Sequence, residues 1–204
     1  MNRLKARIMF RYFSFTLLIL MFLLAFLDGY SQKKVEFETA VVEDSVPIVS
    51  RDFVKKLFPD EKVNWFFEKN EADSSFEAKL KANKRRYSIE FSFNGVFKDA
   101  EVLIALKEVP KYVIDTIRGK LNESFSKVEF KKIQRQYISQ GDVMKIVNEK
   151  RFNDVKKEVE VNYEIIIFGE STDKQAYYEY LFDGEGMFIK AQELEDSNHD
   201  NFFY

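Results

Sequence analysis

Two Ser-x-x-Lys spacings, Ser31-x-x-Lys34 and Ser124-x-x-Lys127, are the nearest this chain comes to a nucleophile beside its base. In such a pair the lysine amine takes the serine proton and frees the oxygen for acyl transfer. Neither pair is accompanied by the Ser-Asp-Asn and Lys-Thr-Gly elements that complete a site of this kind, and the second falls between a helical and a strand-like segment. Asp196-x-Asn198-x-Asp200 imitates the opening ligands of a calcium loop. Asn201 stands where the turn glycine belongs, however, and the closing carboxylate would fall beyond Tyr204. With 0 Cys and 1 His, thiolate centres, Cys nucleophiles and Ser-His pairs are hard to assemble. That histidine, His199, sits in a polar stretch with Glu193, Glu195, Asp196 and Asp200 that reads as a solvated acidic tail. We therefore expect no catalytic residue, no metal ligand and no cofactor, and the chain points away from an enzyme.

The elements that must carry any function follow from composition and pattern. The chain has 204 residues, 46% hydrophobic and 32% charged, with 3 Pro and 7 Gly, a makeup that folds around a core. Lys+Arg at 32 against Asp+Glu at 34 gives no basic field for nucleic acid. Arg3, Lys5, Arg7 and Arg11 precede an apolar run from Phe13 to Leu27, shorter than a bilayer span, and Gly29 and Ser31 supply small residues for processing. The expectation is a signal peptide over 1–31 cut between Ser31 and Gln32, a mildly acidic mature chain in the periplasm or outside the cell, and no membrane span after cleavage. Residues 32–45 read as an exposed lead-in linker.

From residue 46 the pattern occurs twice. Val46-Pro47 opens a helix with Val54 and Phe58 four apart and Pro59 stopping it, and Val109-Pro110 repeats the arrangement with Ile117 and Leu121. Tyr87-x-x-x-Phe91-x-x-x-Gly95-x-Phe97 matches Tyr178-x-x-x-Phe182-x-x-x-Gly186-x-Phe188, with Gly95 and Gly186 placed as equivalent hairpin-turn residues. Phe76-Glu77-Ala78 corresponds to Tyr163-Glu164-Ile165, and Val63-Asn64-Trp65 to Val128-Glu129-Phe130. The expected fold is α+β, a tandem repeat of a helix followed by a four-stranded antiparallel sheet: unit 1 over 46–108, unit 2 over 109–192 with an insertion at about 140–155, and a tail over 193–204. The insertion reads as a long hairpin tip with at most one helical turn, or as an arm that contacts a partner.

Strand alternation assigns faces. Tyr87, Phe91, Tyr163, Tyr178 and Phe182 fall on the parity that the helices cover, which leaves Arg86, Ser88, Glu90, Glu164, Ile166, Tyr177, Glu179 and Leu181 on the open one. An open face that keeps Tyr, Leu and Ile among carboxylates has the makeup of a partner-binding surface.

Phe53 to Pro59, Val63 with Trp65, the Phe/Tyr-Glu-Ala/Ile strand and the Phe-x-x-x-Gly-x-Phe turn together resemble the bacterial PepSY-like group, also described as beta-lactamase-inhibitor-like exported proteins. The resemblance spans about residues 46–192. It implies tandem units whose sheets join into one concave surface, and a non-catalytic module that engages another envelope or extracellular protein, inhibition included. Against the 22 Phe and 10 Tyr, a second reading is a carrier or sensor that holds an apolar small molecule between sheet and helix.

Overall fold

The structure, a computed structural model, describes residues 37–69, 73–141, 143 and 160–194. The expected signal peptide and its cut at Ser31/Gln32 lie outside them, as do Asp196, Asn198, His199 and Asp200. Among the described residues no helix is long and apolar enough to cross a membrane.

Proline and apolar spacing set the helices. Pro47 caps α1 (Ile48–Leu57), whose Ser50, Val54 and Leu57 are buried along one stripe, and the helix gives out at Phe58 before Pro59. Pro110 caps α2 (Lys111–Asn122) in the same way, with Val113, Ile117 and Leu121 buried at four-residue spacing.

The strands are β1 (Phe37–Val41), β2 (Val63–Lys69), β3 (Ser74–Ala82), β4 (Arg85–Ser92), β5 (Phe97–Leu103), β6 (Lys127–Tyr137), β7 (Val161–Glu170), β8 (Gln175–Asp183) and β9 (Phe188–Leu194). They form one nine-stranded sheet in sequence order, each strand antiparallel to the next. Short 3-10 turns at Glu43–Ser45 and Leu106–Glu108 lead into the two helices.

Both helices pack on one face. Ile89, Phe91, Ala100, Val102, Ile165, Ile167 and Phe182 line that side and meet Val54, Val113, Ile117 and Leu121 in a single core. Edge-on and tilted ring contacts, Phe53 to Phe91 at 5.8 Å and Phe125 to Tyr178 at 4.9 Å, account for much of the aromatic content.

The two turn glycines have the same geometry. Each has φ of 83°, in the left-handed region. Gly95 N–H donates to Ser92 O and Ser92 N–H to Val96 O, while Gly186 N–H donates to Asp183 O and Asp183 N–H to Met187 O. Each turn is followed by a register shift that leaves Lys98 in β5 and Ile189 in β9 as extra residues, and a third shift leaves Lys131 extra in β6. Bulges of this kind bend a strand and tighten its twist.

Two boundaries need correction. The 32–45 segment is not a plain exposed linker, because Phe37–Val41 pair with β2 as the first strand of the sheet. The tail does not begin at 193, because Glu193 and Leu194 complete β9 and Glu193 accepts a hydrogen bond from Lys174. Of the 140–155 insertion, residues 142 and 144–155 lie outside the described residues; Gln140, Gly141 and Val143 are helical, and Val143 is buried.

Candidate functional site

Alternation sends every second side chain away from the helices, and on this face the sheet curves around an open trough of ≈ 820 Å³ to which all nine strands contribute. Glu38 from β1 and Leu194 from β9 mark its ends. Nine carboxylates and five basic side chains line it, with Phe66, Leu103 and Ile166 among them.

The register shows how these charges meet. Phe66 is opposite Glu77, Glu77 opposite Glu90, and Glu90 opposite Asp99, so three acids follow one another directly across β3, β4 and β5. Like charges in that relation oppose pairing. The next row runs Lys79, Ser88, Glu101, Gln136 and Asn162, and the one beyond it places Gln134 opposite Glu164.

Partial compensation comes from neighbouring side chains. Lys98, the extra residue of its bulge, donates to Glu90 at 2.7 Å. Ser88 donates to Glu77, Gln134 Nε2 to Glu101 Oε2 at 2.5 Å, Gln136 Nε2 to Asp99 Oδ2 at 3.3 Å, and Gln192 Nε2 to Glu179 Oε1 at 2.6 Å. Lys79 bridges Glu38 at 2.7 Å and Glu77 at 3.0 Å. Burial by itself lowers the Lys79 ammonium, but the two carboxylates outweigh it and hold the group above its ordinary value.

At the centre the acids are not compensated to that extent. Burial, followed by repulsion from Glu90 and Glu164, pushes the Asp99 carboxyl up to about 7, with Lys98 offsetting part of the rise. Burial, followed by repulsion from Glu164 and Asp99, raises Glu101 well above its ordinary range despite Lys132. An arriving positive charge would favour the charged form of both carboxyls. Glu38, Glu68 and Glu77 also bring carboxylate oxygens within 4.8 Å of one another, the one such grouping among the described residues, and the Lys79 ammonium already reaches two of the three.

All eight residues assigned to the open face by parity are on it. Arg86, Ser88, Glu90, Glu164, Ile166 and Glu179 line the trough, while Tyr177 and Leu181 share the face outside its lining, Tyr177 packing on Phe168 at 5.0 Å. Ile166 and Glu179 are buried rather than freely open. The lining residues that strand parity did not single out include Phe66, Glu77, Lys79, Asp99, Glu101, Lys132 and Gln134. Asp99-Ala100-Glu101-Val102 alternates as plainly as the chosen strands do and carries the same signal. Ser124 and Lys127 are both exposed, and Lys127 Nζ lies 3.1 Å from Glu129 Oε1.

No family model matches the chain, and no curated protein does. Solved structures do. A DUF2874 family protein from Bacteroides ovatus aligns at TM-score 0.48 and 13% identity, covering 78% of this chain and 98% of that one. A DUF2874 family protein from Bacteroides uniformis aligns at TM-score 0.46 and 16% identity over 72% and 89%. A BLIP-like protein from Bacteroides fragilis aligns at TM-score 0.43 and 12% identity over 72% and 86%. The PepSY-like side of the resemblance has no counterpart among these. The fold and the trough stand on this chain's own residues.

Proposed function

We propose that this chain is an exported, non-catalytic binding module that engages another envelope or extracellular protein through the open face of its sheet, inhibition of that partner being one form the engagement takes. The observation that carries the reading is the trough: a continuous face with apolar and aromatic side chains set among charges, on the side that neither helix covers. Export is supported by the basic, apolar and small-residue succession over residues 1–31. We further propose that 46–108 and 109–192 are copies of one helix-plus-four-strand unit, supported by the proline caps, the paired turn glycines and the bulge three residues after each glycine.

The carrier reading is less well supported. Phe91, Phe182, Ile117 and Leu121 fill the layer between sheet and helices, and the trough lies on the opposite face among charged groups.

Tyr177→Ala combined with Leu181→Ala tests the surface. Both residues are half-buried and outside the core, so the double variant is expected to melt within about 5 °C of the parent. It is expected to lose capture of the native partner in a cross-linking pull-down from the envelope. Unchanged capture at unchanged stability would move the working surface elsewhere.

A further inference from the structure

We infer that the occupant of the trough is a basic loop of the partner protein, which places a lysine or arginine side chain over Asp99, Glu101 and Glu164. The inference rests on the docking reading and adds the chemistry of the partner to it.

The acidic centre is costly to the fold. Glu77, Glu90 and Asp99 oppose one another directly across three adjacent strands, and Glu101 and Glu164 face the same space from β5 and β7. A sheet that needed only to fold would set opposite charges or neutral groups in these positions. The bases at hand offset only part of this: Lys98 reaches Glu90 and Asp73, Lys79 bridges Glu38 and Glu77, and Lys132 acts against the rise at Glu101. The acids still outnumber the bases in the lining by nine to five. Field lines from such a concave surface concentrate in its interior, where a cation is favoured and an anion repelled.

Shape selects a side chain rather than a bare ion. The trough is open, ≈ 820 Å³ in volume, and carries Phe66, Leu103 and Ile166 beside the carboxylates. Lys79 already lies 4.9 Å over the Phe66 ring and shows how such a surface receives an alkyl stem with a charged tip. A small metal ion would use none of that apolar lining.

The protonation of the centre supplies a distinctive readout. Asp99 is faced by Glu90 of β4, Glu164 of β7 and Glu77 of β3, with Lys98 beside it in β5. Glu101 is faced by Glu164, Asp99 and Glu77, with Lys132 of β6 opposing them. A cation entering here favours the charged carboxylates and expels the protons that the empty trough holds. Affinity therefore rises with pH through the range in which the empty protein is still protonated.

The test titrates the purified chain with two cyclic hairpin peptides that differ only in presenting Lys-Trp-Arg or Glu-Trp-Glu at the tip. Expected is saturable binding of the basic hairpin, about tenfold or more tighter near pH 8 than near pH 5.5, with proton release measured by calorimetry in buffers of different ionisation enthalpy. Backbone amide shifts should concentrate on β4, β5 and β7. Asp99→Asn with Glu101→Gln should weaken binding about tenfold and remove its pH dependence, whereas Tyr112→Ala, on the helix side, should change nothing. Failure of the basic hairpin to bind, or an unchanged affinity in the double variant, overturns the inference. Equal or tighter seating of the acidic hairpin at β4, β5 and β7 overturns the basic partner while leaving the docking face in place. Calcium alone producing the same shifts where the hairpin produces none would make the trough a metal site instead.

Discussion

Valine in place of Gly186 is expected to destabilise the protein by about 2–4 kcal/mol, a large share of the roughly 5–15 kcal/mol that holds a typical domain folded. Two physical costs combine. The residue holds φ of 83°, which a β-branched side chain adopts only under strain, and a Cβ there would stand 2.7 Å from the Val113 carbonyl oxygen of α2. Val113 lies in the first turn of α2, where its carbonyl belongs to the helix backbone and cannot step aside without disturbing the helix start. Gly95→Val meets the same φ, with Val49 Cγ2 at 2.5 Å and Pro47 Cβ at 2.8 Å from the added Cβ. One of those contacts is the end of a side chain that can rotate, so its loss is expected to be comparable but the smaller, by up to about 1 kcal/mol. Urea unfolding of the two variants measures both. A silent Gly95→Val beside an unfolded Gly186→Val would break the equivalence of the two turns.

Neutralising the central acids is expected to have the opposite effect, and only above a certain pH. Asp99 has its folded-state pKa raised from 3.8 to about 7, so the folded protein holds a proton that the unfolded chain has already lost. The contribution of this group to stability is fully present below about pH 4 and is lost as pH rises toward 7, and Glu101 is displaced in the same direction. A carboxyl whose pKa stands one pH unit higher in the folded than in the unfolded protein costs the fold about 1.4 kcal/mol once it is ionised in both. Asp99→Asn is therefore expected to raise Tm near pH 8 by at least roughly 2–4 °C, Glu101→Gln to shift it in the same direction, and both to leave it unchanged near pH 4. Thermal melts of parent and variants across that range check the sign. A loss of stability at pH 8 would mean that the two carboxylates are held charged by compensation in the folded protein. A gain would show that the acids are retained at the expense of the fold, as groups serving a partner are.

Much of the scaffold is legible in the order of residues alone. Pro47 and Pro110 mark helix starts because a proline fixes φ and needs no donor there, and Val54, Ile117 and Leu121 fall on the buried stripes their spacing implies. Parity separates Tyr87, Phe91 and Phe182 from Arg86, Ser88 and Glu90 because a strand alternates strictly until a bulge interrupts it. Curvature is not legible. It depends on cumulative twist and on the register shifts at Lys98, Lys131 and Ile189, which no residue type announces. The centre of the trough escapes sequence reading for a related reason: Glu101 and Glu164 belong to β5 and β7, and only the pairing of both with β6 brings them to one place. Strand β1 escapes it because Phe37–Val41 is a short edge segment without a matching element in the repeat.

A photo-crosslinking amino acid placed at Phe66, inside the trough, and separately at Tyr112, on the exposed side of α2, tests the docking reading most directly. Irradiated in the native envelope, the Phe66 probe is expected to yield a covalent adduct with one partner of defined mass, and the Tyr112 probe none. An adduct from Tyr112 with nothing from Phe66 would contradict the account and turn the working surface to the helix side of the sheet.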